Sequence, residues 1–336
     1  MKRTLLVVGI MSSFSAFAAD FYVPETISNE GQTFLKENFT QAAKDASIIP
    51  SGLDDDGWKA LQKSSDEQVQ PLNDAAVAMY QPNIEKAVMA GIPVLDIRPK
   101  DWKDNGKVLV YIHGGAYVAY HPESTLASSV PVAADTGLRV ISVDYTLAPF
   151  AQYQTITDQV IAVMEALVAQ GYSMSDIAMY GDSAGGGLVA GSVLKMRDLK
   201  LDLPAAIVLW SPWADITETG DSYQTLKEAE PLYRYELLLK PSADAYAPIA
   251  DQKHPYVSPV YGDYSKPFPP VLIQGGTKEL LLSGMVRLYQ AIDTQGGEAK
   301  LDLYEGMWHV FQAYSFHIPE AVAARKKMGH FLTAHL

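Results

Sequence analysis

The chain of 336 residues has no cysteine, which excludes disulfide staples, thiolate nucleophiles and thiolate-bound metals. Basic residues are few: 26 Lys and Arg stand against 39 Asp and Glu, for a formal charge of −13. A surface this acidic argues against nucleic acid or an anionic membrane as partner. None of the seven histidines stands in a metal-ligand spacing such as H-E-x-x-H, so no metal is expected. No apolar run is long enough to cross a bilayer, no repeat period is visible and no segment is low in complexity. What remains is an ordinary globular composition, 48% hydrophobic, able to bury a full core.

The first residues depart from this. A short basic start, Met1-Lys2-Arg3, precedes a small apolar stretch and then Ala16-Phe17-Ala18, a small-x-small cleavage pattern. Residues 1–18 read as a secretory signal peptide cut after Ala18 or Ala19, which places the protein in the periplasm or outside the cell. Loss of Lys2 and Arg3 takes the formal charge from −13 to −15.

Residues 19–91 carry apolar residues at three- and four-residue spacing and read as an N-terminal helical cap region. From residue 92 to 336 the texture is that of a core in which short apolar runs alternate with helical stretches. The runs are IPVLDI, KVLVYIH, RVISVDY, IAMYG, AAIVLW, PPVLIQ and AKLDLY. That alternation predicts an α/β fold, a mostly parallel sheet with helices on both faces. A long connection, about 214–268 and rich in Tyr, Pro and Asp, interrupts the rhythm and predicts a helical lid over the carboxyl ends of the strands.

The strongest chemical signal is Gly181-Asp182-Ser183-Ala184-Gly185, a G-x-S-x-G pattern between the apolar run IAMY and the helical run GLVAGSVLKM. A serine at such a strand-to-helix turn is held clear of the backbone, where helix N–H groups favour developing negative charge. By itself the pattern is weak, because small-residue loops also cap helices and bind phosphates. The phosphate-loop alternative lacks its lysine followed by Ser or Thr. Some seventy residues earlier, His113-Gly114-Gly115-Ala116-Tyr117 ends a strand with two glycines that let N–H groups converge on one point, as an oxyanion requires.

HGGAY, DYTLAP (144–149), GDSAGG (181–186), LWSPWAD (209–215), HPYVSPVYGD (254–263) and GMWHVF (306–311) occur in this order. Together they resemble the hormone-sensitive-lipase-like bacterial esterases, a branch of the α/β-hydrolases, over roughly Asp96 to Phe311. The resemblance implies oxyanion donors at the N–H groups of Gly115, Ala116 and Ala184, with Gly114 shaping the turn. Ala116 stands where many members have a third glycine, and Thr146 and Phe150 stand where the family usually shows arginine and glutamate. Asp144 then stabilises nearby loops rather than reacting.

His309 follows the last strand, where the fold places its general base. His113 belongs to the oxyanion loop, and the other five histidines read as surface or partly buried side chains. The acid must lie between Ser183 and His309 on a loop after a strand. Asp293 sits in a helical run, Asp302 within a strand, Glu305 too near His309, and Asp215 one strand early with the lid charges. Glu279 remains, five residues past the end of VLIQ, where the family more often has aspartate. Read alone it is a first-turn helix charge, and Lys278 beside it is expected on the surface.

These readings predict an exported serine carboxylester hydrolase with the triad Ser183, His309 and Glu279, no cofactor and a small-molecule ester as substrate. The resemblance implies short to medium acyl chains. Tyr117 and Trp213 are candidate pocket aromatics, and a homodimer is left open. A lactonase, a sugar or sterol deacetylase or an amide hydrolase would use the same triad. The alternative from another class is a binding protein on a retired hydrolase scaffold, against which Ser183, His309 and both glycine loops argue.

Overall fold

A computed structural model describes residues 20–336. The signal-peptide reading of residues 1–18 lies outside the described residues. The seven apolar runs each form a strand: β2 (Ile92–Arg98), β3 (Val108–Ile112), β4 (Arg139–Val143), β5 (Ile177–Asp182), β6 (Ala206–Trp210), β7 (Val271–Gly276) and β8 (Ala299–Tyr304). An eighth strand, β1 (Asn83–Met89), precedes them. The order across the sheet is β1-β2-β4-β3-β5-β6-β7-β8. β1 and β2 are antiparallel to their neighbours, and β3 to β8 run parallel. β3, β5, β6 and β7 are buried at every position, which is why they read as unbroken apolar runs rather than as alternations.

β1 corrects the helical reading of residues 19–91. The helix ends at Tyr80, because Gln81 takes a left-handed conformation (φ 50°) and Pro82 follows. Residues 83–89 then pair with β2 across a two-residue turn, Ala90-Gly91, in which both φ values are positive. That is the hairpin geometry matching strand twist.

The helices are α1 (Asn29–Asn38), α2 (Gln41–Ala46), α3 (Asp55–Tyr80), α4 (Leu126–Thr136), α5 (Tyr153–Ala169), α6 (Ala184–Asp198), α7 (Ser222–Thr225), α8 (Lys240–Tyr246), α9 (Leu282–Asp293), α10 (Phe311–Tyr314) and α11 (Pro319–His335). α4 and α11 share one core with one face of the sheet, while α5, α6 and α9 pack on the other. The connection 214–268 contains α7, a π-helical turn at Tyr235–Leu239 running into α8, and short 3-10 turns. Residues of α1, of α3 and of this connection meet over the carboxyl ends of the strands, around one cavity. α1 is tied there by Phe34, which stacks on Trp308 at 5.0 Å, one residue from His309.

Candidate active site

Ser183 sits between β5 and α6 with φ 55° and ψ −123°, a conformation L-residues avoid. Close packing enforces it. A Cβ on Gly185 would lie 2.1 Å from the Ile112 carbonyl oxygen, and one on Gly181 would lie 2.5 Å from the Gly185 oxygen. Glycine at 181 lets β5 and α6 approach so closely, glycine at 185 lets α6 pass the end of β3, and the serine side chain is carried outward.

The serine Oγ lies 2.9 Å from His309 Nε2, and His309 Nδ1 lies 2.8 Å from Glu279 Oε2. With Nδ1–H donating to the carboxylate, Nε2 is left to accept the serine proton. Glu279 is fully buried. Its second oxygen accepts from Ser211 Oγ at 2.7 Å and from the Gly276 N–H at 2.6 Å. Ser211 Oγ accepts in turn from the Val310 N–H at 3.0 Å, which ties the turn after β6 to the residue beside the base. Burial lowers the affinity of the imidazole for a proton, but the hydrogen bond and charge of Glu279, with Glu230 and Asp182 adding to them, outweigh it and the net shift is upward.

The rival carboxylates are engaged elsewhere. Asp302 accepts from Gln274 and pairs with Lys327, and Asp215 pairs with Arg287 and accepts from Tyr261. Asp293 lies in α9, and Glu305 accepts from Thr26 at the surface. Lys278 is not on the surface: it is buried, donates to the Tyr22 carbonyl at 2.6 Å and lies over the Tyr22 ring. Burial pushes its ammonium down, and Tyr22 rather than Glu279 is its partner.

The loop after β3 lies against the elbow. A Cβ on Gly114 would meet Asp182 Oδ2 at 2.5 Å, and one on Gly115 (φ 97°) would meet the Ala119 oxygen at 2.2 Å. Ala116 tolerates a φ of 53°, at a cost of about 1–2 kcal/mol. Asp182 lies against this loop and accepts from the Tyr111 hydroxyl. His113 is buried, donates its Nδ1–H to the Gly114 carbonyl at 2.8 Å and stacks on Tyr145, and burial pushes its imidazole down to about 4, so it stays neutral. Asp144 pairs with His121 at 2.8 Å. At the two departures from the family, Thr146 bonds Gln159, and Lys59 lies over the Phe150 ring.

A cavity of about 370 Å³ opens on Ser183 and His309 and is also lined by Gly115, Ala116 and Asp182. Phe34, Phe39 and Ile49 from the N-terminal segment, Leu61 and Leu72 of α3, and Leu232 and Leu239 of the connection give it apolar walls. Tyr117 and Trp213, the pocket aromatics expected from sequence, are not among its lining residues. Both are fully buried, with Tyr117 stacked between Tyr246 at 3.6 Å and Trp213 at 5.7 Å, so they form core behind the loops. Two residues of the connection that sequence reasoning passed over do reach the site. Tyr233 sets its ring edge-on to the His309 ring at 5.2 Å, and Glu230 is buried and accepts from the Leu280 N–H beside Glu279.

Comparison with known proteins gives the family and the class of the chain. The description of the alpha/beta hydrolase fold family matches residues 109–313, and the chain belongs to that family. It is an enzyme of the esterase class. It is 33% identical over 236 residues to an acetyl-hydrolase of Streptomyces hygroscopicus, covering 70% of this chain and 78% of that one. The crystal structure of an esterase, E25, superposes with a TM-score of 0.88 at 29% identity, covering 96% of this chain and 99% of that one. An esterase of the bacterial hormone-sensitive lipase family superposes with a TM-score of 0.74 at 31% identity, covering 80% and 91%.

Proposed function

We propose that the protein is an exported serine carboxylester hydrolase acting on short to medium acyl esters. The observation that carries this reading is the hydrogen-bonded series from Ser183 Oγ through His309 to Glu279, opening into an apolar cavity. His309 Nε2 takes the serine proton as Oγ attacks the ester carbonyl carbon. The carbonyl oxygen, now negative, is held by the N–H groups of Gly115, Ala116 and Ala184. Glu279 keeps Nδ1 protonated and stabilises the imidazolium. The C–O bond to the alcohol breaks, and His309 returns its proton to the departing oxygen. Water then gives a proton to His309 and its oxygen to the acyl-enzyme, which releases the acid and restores Ser183. No cofactor takes part.

The apolar walls support a hydrocarbon acyl group. Each methylene that enters the cavity is worth about 0.8 kcal/mol, about fourfold in kcat/KM. With p-nitrophenyl esters, kcat/KM should therefore climb from acetate through butyrate and hexanoate, then fall for palmitate as the chain outgrows about 370 Å³. Lactones and amides measured beside them distinguish the other acyl-transfer activities. Absence of turnover on every acyl substrate would overturn the hydrolase reading and favour a binding protein.

Export is part of the same proposal, motivated by the basic start, the apolar stretch and Ala16-Phe17-Ala18. Mature protein recovered from the periplasm or medium should begin at Ala19 or Asp20 on N-terminal sequencing. An intact Met1 in that material would refute cleavage.

A further inference from the structure

Glu230 is a fully buried carboxyl group in the connection between β6 and β7. Its Oε1 accepts from the Leu232 N–H at 3.0 Å, which closes a local turn. Its Oε2 accepts from the Leu280 N–H at 3.2 Å, and Leu280 directly follows Glu279. The same connection grips the far side of that turn. Ser222 N–H donates to Ser283 Oγ at 2.8 Å, and Ser283 N–H donates to Ser222 Oγ at 2.9 Å. Three residues after Glu230, Tyr233 presents its ring edge to His309. The stretch 230–233 therefore touches both the turn that carries the acid and the base itself.

No lysine or arginine forms a salt bridge with Glu230 among the described residues. The titratable groups acting on it or feeling its charge are His309, Glu279, Lys278, Lys44, Tyr233 and Tyr314. Burial lifts its carboxyl to about 7, with His309 and its two N–H donors holding it down and Glu279 pushing it further up. A charged group in such a place is costly to fold, and an apolar residue would fill the space more cheaply. What the carboxylate supplies and an apolar residue would not is a second negative charge near the imidazole and a hold on the Leu280 N–H.

We propose that Glu230 is a positioning residue of this site, a carboxylate carried by the connection that fixes the Glu279 turn and stabilises His309 in its protonated form during turnover. The inference rests on the hydrolytic reading above. Protonation turns one Glu230 oxygen into an O–H donor and a poor acceptor, which weakens the hold on one of its two N–H donors. Glu230 and His309 must then both shed a proton for full activity, and they titrate as a coupled pair.

The test is the pH dependence of kcat/KM for a p-nitrophenyl ester, measured on the wild type and on Glu230→Gln. The wild-type acid limb should fall more steeply than one proton allows. Glu230→Gln should lower kcat by about tenfold, move the limb to lower pH and reduce it to one proton. A Glu230→Gln limb that superimposes on the wild type after scaling, with only a lowered Tm, would overturn the proposal and leave a purely structural side chain. Should Glu230→Gln fail to fold by circular dichroism, the wild-type limb decides alone, and a one-proton limb overturns it. Hydrolysis by the wild type and its loss in Ser183→Ala test the underlying mechanism separately, so failure of one reading is not mistaken for failure of the other.

Discussion

Ser183→Ala should give a folded protein with unchanged thermal stability whose ester hydrolysis is lower by roughly five to six orders of magnitude. The stability expectation follows from the backbone. Alanine keeps the Cβ that serine already carries at φ 55°, so the elbow is no more strained than before, and the glycines at 181 and 185 still permit its close approach. The hydroxyl's one side-chain hydrogen bond is to His309 Nε2, so nothing buried is orphaned except a nitrogen that faces the cavity. The loss of rate follows from the chemistry. Without Oγ no acyl-enzyme forms, and water would have to attack directly with only the N–H donors and the cavity to assist it. The measurement pairs steady-state hydrolysis of p-nitrophenyl butyrate with mass spectrometry after a phosphonate ester inhibitor. Wild type should gain one adduct on the peptide holding Ser183, and the variant none. Activity within tenfold of wild type in a stable Ser183→Ala protein would remove Ser183 as nucleophile.

How much of this was legible in the sequence depended on whether a residue's role is set locally. The elbow and the strands around it were legible because their requirements are local: two glycines around a serine, and apolar runs buried on both faces. The base was legible because the turn after the last strand brings it there. β1 was not, since its alternation N-I-E-K-A-V-M is mostly exposed at the sheet edge and follows a long helix without a break in polarity. Tyr117 and Trp213 look like pocket aromatics from their neighbours along the chain, but aromatic bulk equally suits core, and stacking with Tyr246 decides it. Lys278 looks like a surface charge until the N-terminal segment brings the Tyr22 carbonyl to it, a contact across 256 residues. Glu230 was hidden for the same reason. In the acidic, tyrosine-rich connection it is one charge among many, and its burial depends on Leu280, fifty residues away. Residues whose role is set by tertiary contact leave no periodicity to read.

Glu279 separates the two kinds of legibility, because its place in the chain order was readable and its reach was not. Glu279→Gln should lower kcat by about four orders of magnitude while the protein keeps its fold. The glutamine amide can present its NH₂ to His309 Nδ1, which then must accept, and the proton moves to Nε2, where it blocks uptake from Ser183. Glu279→Asp is the more informative change, since it keeps the charge and shortens the arm by one methylene. In this site the carboxylate spans two groups of partners, His309 on Oε2 and the pair Ser211 Oγ and Gly276 N–H on Oε1. Aspartate at 279 cannot keep both sets at 2.6–2.8 Å unless the turn after β7 moves, and that turn is pinned by the Leu280 N–H and the Ser222–Ser283 pair. Glu279→Asp should therefore lose about ten- to a hundredfold in kcat, with KM little changed because the cavity walls are untouched. Combining it with Ser211→Ala should cost less than the product of the two single losses, because both act through the same carboxylate oxygen. Full activity in Glu279→Asp would mean that the turn adapts freely, and the longer acid would then be a neutral exchange rather than one matched to its fixed turn.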